Sequence, residues 1–237
     1  MSSPKWLDAD AYLFDIDGTL LHATGRAHYN AFSSALERIF GLRTTIDGVR
    51  WAGNTDIGIL REVLEREGLS WSELEYKLRD VIDHMSDEVE RNRALVRAEV
   101  CPSIDEIVLT LHRAGKTLGI VSGNFERIGW VKVEAAGLRD YFSFGFFSDR
   151  FPTRTEIFRA AVDDVRHRLG SETRICVVGD TPSDIQSAKA NYVPVIAVAT
   201  GGYSFEELHS FSPDICLRCC DEALPLDIGS EATKITA

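Results

Sequence analysis

The chain has 237 residues, 44% hydrophobic and 27% charged, the make-up of a globular protein long enough for one large domain or a core with an insertion. Its 26 Lys and Arg face 37 Asp and Glu, a formal charge of -11, which excludes a general attraction to nucleic-acid phosphates, and no basic run offers a local exception. No basic segment leads into an apolar one near the start and no apolar stretch reaches membrane-spanning length, so the expectation is a cytoplasmic protein without a membrane partner.

In chain order, β-rich apolar runs predict strands at 11–15, 117–121, 144–147, 175–179 and 195–199, with a weaker one at 214–217. Amphipathic segments such as 126–136 and 156–169 separate most of them, which reads as a parallel sheet covered on both faces. One interval breaks this rhythm. From His22 to about Val96 the sequence shows no strand, only helical patterns such as "AHYNAFSSALERIF", "TDIGILREVLEREG" and "WSELEYKLRDVIDHMSDEVERN". That is too much helix for a single crossover, so residues 22–96 read as an inserted helical unit, with 1–21 and 97–237 as the core. The tail "GSEATKITA" is expected to fray.

The five cysteines are Cys101, Cys176, Cys216, Cys219 and Cys220. An odd number points to reduced thiols, and the run "CLRCC" lacks a second Cys/His pair that would complete a zinc site, so these are read as structural.

The first strand ends in "YLFDIDGTL", placing Asp15 and Asp17 one residue apart. Residues two apart on a strand share a side, so both carboxylates can converge at the strand's carboxyl end, where α/β sheets bind ligands. Gly18 permits a tight turn there, although Asp-Gly is also a plain turn signal. The second core strand ends in "IVSGN": Ser122 and Gly123 can hold an anion, and Asn124 suits the N-cap of the next helix. The segment "VVGDTPSDIQSAKAN" ends a strand on Asp180. Thr181, Pro182 and Asp184 then have capping-box spacing, and Asn191 suits the helix end. Asp184 has that structural role open to it; Asp180 has no capping reason to be there. Acids gathered on one rim repel unless a hard cation offsets them, and carboxylates with water suit Mg²⁺.

Taken together and in this order, "DIDGTL", "IVSGN" and "VVGDTPSDI" resemble the signature motifs of the haloacid dehalogenase superfamily, and "GDTPSDIQSAKAN" is most similar to its phosphoglycolate-phosphatase-like branch. The resemblance implies an α/β, Rossmann-like three-layer core with a parallel sheet of order 5-4-1-2-3, and a C1-type helical cap after the first strand. It implies a Mg²⁺-dependent phosphatase acting on a small phosphorylated metabolite through an aspartyl-phosphate. Asp15 would be the nucleophile and Asp17 the general acid and base. Mg²⁺ would be held by Asp15, the Asp17 carbonyl and Asp180, with Asp184 supporting the metal shell. Ser122 and the Gly123 amide would bind the phosphoryl group beside Gly18 and Asn124, and Thr19 would orient Asp17.

The family usually carries a Lys before the fourth strand's helix, but "SDRFPTRTEIFRAA" has none. Arg154, just ahead of a helix expected from about Glu156, is the preferred substitute, with Arg150 second. Lys116 is a decoy, since a P-loop would need Gly where Thr110 stands. Asp17 speaks against dehalogenase chemistry, and Lys77, the cap's one lysine, lies too late for a phosphonate hydrolase. A sugar phosphomutase, or a catalytically idle binding member, remains the alternative. In the cap, Arg26 and His28 read as a solvated helix start or as contacts to a substrate carboxylate. Gly53 and Thr55 read as a site-facing loop or a helix cap, and Trp51 as cap core.

Overall fold

The computed structural model describes residues 6–23 and 25–226; the tail expected to fray lies outside the described residues. Six parallel strands form the main sheet: β1 (Ala11–Phe14), β4 (Thr117–Val121), β5 (Phe144–Phe146), β6 (Ile175–Gly179), β7 (Val195–Val198) and β8 (Ile215–Leu217), in the order β5-β4-β1-β6-β7-β8. The expected five-strand order is therefore extended. Ile215–Leu217, legible only as a weak apolar run, pairs in register with β7 and becomes a sixth, edge strand.

Strand alternation sorts the core into two layers. Tyr12 and Phe14 of β1, with Ile120, Val178 and Ile196, pack against Ile104, Ile107 and Leu111 of α4 (Ile104–Arg113). Ala11 and Leu13, with Val121, Val177 and Val195, pack on the other face against α6 (Arg154–Leu169) and α7 (Pro182–Ala190). Every residue of β1 is buried, so the strand that carries the aspartates is dry on both sides.

Helices α1 (Ala27–Phe40), α2 (Asp56–Arg66) and α3 (Trp71–Arg91) share a third apolar cluster. Phe125, Ile128 and Val131, at and within α5 (Glu126–Ala135), belong to the same cluster. Helix α5 therefore joins the helical segment to the sheet.

The interval without an expected strand does contain one edge of a ribbon. β2 (Leu21–Ala23) leaves the core and pairs antiparallel with β3 (Glu99–Val100) on the return. Both are too short to show a period, and their pairing is non-local, so the local pattern does not reveal it. A short helix between β7 and β8, α8 (Phe205–Ser210), carries a Ser204–Glu207 capping box. None of the helices among the described residues is long and apolar enough to cross a membrane, and all five cysteines are unpaired thiols.

Candidate active site

Strand order reverses at β1, so a crevice opens between the carboxyl ends of β1, β4 and β6. It is a cavity of about 680 Å³ lined by Asp15, Asp17, Ser122, Arg154 and Asp180 on the sheet side and by Arg26, His28, Trp51 and Asn54 on the helical side.

Gly18 turns the chain at φ +87°, and a side chain there would run into the Asp180 carboxylate. The turn brings the β1 and β6 acids together, and the Thr19 hydroxyl donates to Asp180 Oδ1 at 3.2 Å. Thr19 thus orients Asp180 rather than Asp17, because the turn after Gly18 carries it toward β6. Thr200, just beyond β7, donates to the Gly18 carbonyl at 2.6 Å and pins the turn from above.

Asp15, Asp180 and Asp184 each offer a carboxylate oxygen, and these atoms lie within 4.8 Å of one another. All three residues are buried. Burial pushes the Asp15 and Asp180 carboxyls above the usual range, and the neighbouring acids add to it against the pull of Arg154. Arg154 stands among them: Nε donates to Asp184 Oδ1 at 2.7 Å, and Nη2 lies 2.7 Å from Asp15 Oδ1 and 2.6 Å from Asp184 Oδ1. Nη2 is thus at ion-pair distance from both carboxylates at once. One guanidinium does not balance three carboxylates. The remaining charge and the all-oxygen donor set fit a hard divalent cation.

Asp184 is already occupied. Its Oδ2 accepts from the Thr181 amide and hydroxyl at 3.0 and 2.7 Å in the capping box that starts α7, and its Oδ1 is taken by Arg154. Asp15 and Asp180 keep the freer oxygens. Arg154 is the first residue of α6, two positions earlier than expected. Thr153 caps the helix and Glu156 closes the box. Arg150 is exposed and lies outside the cavity lining.

Asp17 has its own cation. Lys132 of α5 is 3% exposed, and its ammonium lies 2.7 and 2.9 Å from the Asp17 carboxylate oxygens and 2.7 Å from Asn124 Oδ1. These contacts use all three ammonium donors. Asn124 Nδ2 donates to Asp17 Oδ2 at 2.8 Å and to Ser122 Oγ at 2.7 Å. Burial raises the Asp17 carboxyl, but Lys132 and Asn124 outweigh it and hold it below the usual range. The Asp17 side chain keeps 38% of its surface open, so it still faces the cavity.

Asn124 is not the N-cap of α5; that position falls on Phe125. Its amide is spent inside the site because Lys132 and Asp17 outcompete the helix end. Ser122 Oγ accepts from Asn124 and retains a hydroxyl proton to donate. Lys132 escaped the sequence reading. The signal was a lysine set among Ile128, Val131 and Val133, the positions α5 buries, where a lysine is rare unless paired.

On the helical side, Trp51 is not core. It is 62% exposed and lines the cavity, while Ile46 and Val49 of the same connection are the residues that pack into the helical cluster. Thr55 caps α2 by accepting from Gly58 N at 2.9 Å, and its hydroxyl donates to the Pro152 carbonyl at 2.8 Å. Gly53, Arg26 and His28 also line the cavity. His28 meets Asp56 at 3.1 Å and stacks on Phe32.

Residues 12–198 match the family model described as haloacid dehalogenase-like hydrolase. The chain belongs to the haloacid dehalogenase-like hydrolase family. It is 26% identical over 236 residues to a phosphoglycolate phosphatase of Mesorhizobium japonicum, covering 94% of this chain and 96% of that one. A phosphoglycolate phosphatase of Vibrio cholerae is 27% identical, covering 74% and 78%. Among solved structures, CbbY from Rhodobacter sphaeroides in complex with phosphate superposes with a TM-score of 0.62 at 20% identity, covering 91% and 96%. This last likeness concerns the fold.

Proposed function

We propose that this hydrolase is a Mg²⁺-dependent phosphatase that cleaves a small phosphorylated metabolite, of phosphoglycolate-like type, through an aspartyl-phosphate. The observation that carries the reading is that two carboxylates on one rim are held by two different cations, Asp15 by Arg154 and Asp17 by Lys132. They are thereby given different work. The phosphoglycolate phosphatases named above support the substrate class.

In this reading Asp15 attacks phosphorus, the bond to the leaving oxygen breaks, and the electron pair departs on that oxygen. Asp17, open to the cavity, supplies its proton. Negative phosphoryl oxygens arriving beside Asp17 favour its protonated form for this step. Its ionised form then takes the proton of the water that hydrolyses the acyl phosphate. The Ser122 hydroxyl and Arg154 Nη2 donate to the equatorial phosphoryl oxygens, where charge spreads in the transition state. Asp15, Asp180 and the Asp17 carbonyl would hold Mg²⁺, which when bound supplies charge neutralisation at the phosphoryl group. Asp184 fixes Arg154. Residues 22–96 serve as a cap that closes the cavity over the leaving group. Free thiols throughout the described chain fit a reducing, cytoplasmic setting.

The test is hydrolysis of p-nitrophenyl phosphate with and without Mg²⁺, followed by a panel of phosphorylated two- and three-carbon acids and sugar phosphates. Turnover that stops with EDTA and favours the small acids supports the proposal. No turnover of any ester, or conversion of a sugar phosphate to its isomer, overturns it.

A further inference from the structure

Helix α5 starts without a cap of its own. Its N-cap is Phe125, whose side chain accepts nothing, although the first turn of a helix has N–H groups without partners. Two acids from elsewhere accept instead. Asp149 Oδ2 takes the Glu126 N–H at 2.7 Å, and Asp56 Oδ2 takes the Phe125 N–H at 2.8 Å. Asp56 is the first residue of α2, on the cap side of the cavity. Its own N–H donates to the Gly123 carbonyl at 2.7 Å. Residue 56 therefore grips the chain on both sides of Asn124.

The approach is close enough that a side chain at Gly123 would run into the Asn54 carbonyl. Asp56 is 3% exposed, a position an acid holds only when partnered. Between the two gripped positions Asn124 turns its amide to Asp17, Ser122 and Lys132. Moving the 123–125 backbone moves that amide.

We propose that Asp56 is a positioning residue for the acid–base step. By clamping the 123–125 turn it sets Asn124, and through Asn124 the orientation of Asp17, so that docking of the cap helix completes the leaving-group machinery of the core. This rests on the phosphatase reading above. Asp56 lines the same cavity and also meets His28 at 3.1 Å, but none of its hydrogen bonds goes to Asp17, so the clamp can be tested apart from the acid–base itself.

The experiment compares Asp56→Ala, which removes the acceptor, with Asp56→Asn, which keeps an oxygen in place. Ethyl phosphate, whose leaving group needs a proton, and p-nitrophenyl phosphate, whose leaving group does not, are the substrates. Misplacing a catalytic group can cost up to about 10²-fold, so Asp56→Ala should lower kcat on ethyl phosphate by roughly 10- to 100-fold and on p-nitrophenyl phosphate by less than about threefold. Asp56→Asn should restore both. Equal losses on the two esters, or a change confined to KM, would assign Asp56 to cap packing and overturn the proposal. Hydrogen exchange over residues 122–127 gives a second readout that needs no turnover. It should quicken in Asp56→Ala and return in Asp56→Asn; unchanged exchange also overturns the proposal. If the wild-type protein hydrolyses neither ester, the phosphatase reading fails, while the exchange result still decides the clamp. Should Asp56→Ala not fold, Asp56→Glu replaces it, since the extra methylene displaces the acceptor while keeping the charge.

Discussion

The Lys132 ammonium sits 2.7 Å from one oxygen of the Asp17 carboxylate and 2.9 Å from the other, joining α5 to the turn after β1. Lys132→Met deletes all three donors together. Turnover should fall by roughly 10- to 100-fold, more on alkyl phosphates than on p-nitrophenyl phosphate, because the group disturbed is the one proposed as acid–base. Breaking a fully buried pair costs about 3–5 kcal/mol. With the Asp17 side chain 38% exposed, a loss of about 1–3 kcal/mol in urea unfolding is expected instead. An unchanged rate would remove Lys132 from the mechanism.

Asp15 is the acid nearest Arg154 Nη2 that is not spent on a helix cap. Asp15→Asn should abolish turnover with Mg²⁺ present, while circular dichroism and gel filtration stay those of the wild type. Appreciable turnover in this variant would mean that water, not Asp15, attacks phosphorus.

Asp17→Asn tests the other carboxylate. A positioned acid–base contributes about 10²–10⁴-fold, and the loss should shrink as the leaving group improves. A plot of kcat against leaving-group pKa should therefore be steeper in Asp17→Asn than in the wild type. Parallel plots would remove Asp17 from leaving-group protonation.

Arg154 and Arg150 separate cleanly in space, one buried among the acids and one exposed. A donor aimed at transition-state charge is worth about 2.7–4 kcal/mol, so Arg154→Ala should cost roughly 10²–10³ in kcat. Lys at 154 should restore only part, since it lacks the planar fork that spans Asp15 and Asp184. Arg150→Ala should match wild type. The reverse pattern would show that Arg150 swings into the site when substrate binds.

Mg²⁺ should bind without substrate. A ligand specific to the folded state at about 100 times its Kd stabilises by about 2.7 kcal/mol, so thermal unfolding should shift upward with added Mg²⁺. Asp180→Asn should remove the shift. Gly18→Ala should weaken it, because a side chain at that position collides with the Asp180 carboxylate. A wild-type Tm indifferent to Mg²⁺ would argue against a resident divalent ion.

The sheet and the acids at its strand ends were largely legible in the one-dimensional pattern. Runs of buried apolar residues such as Ile175–Gly179 end abruptly on Asp180, and local rules of strand polarity and helix capping suffice to read Asp15, Asp17, Ser122 and Thr181 in their places. Arg154 was legible only as a departure from the family pattern, the preferred substitute for the missing Lys with Arg150 second; that Thr153 caps the helix behind it is a finding of the structure.

What the tertiary structure alone decided is which partner each of these groups takes. Thr19 lies two residues from Asp17 yet bonds Asp180, 161 positions away in sequence. Lys132 reaches Asp17 across 115 residues, and Asp56 reaches Phe125 across 69. Such contacts leave no local period, since a buried ion pair depends on two surfaces meeting rather than on the spacing along either one. Sequence spacing can bring carboxylates to one strand end, but the cations and amides that pair differently with each of them arrive from other elements only when the sheet, α5, α6 and the helices α1 to α3 pack together.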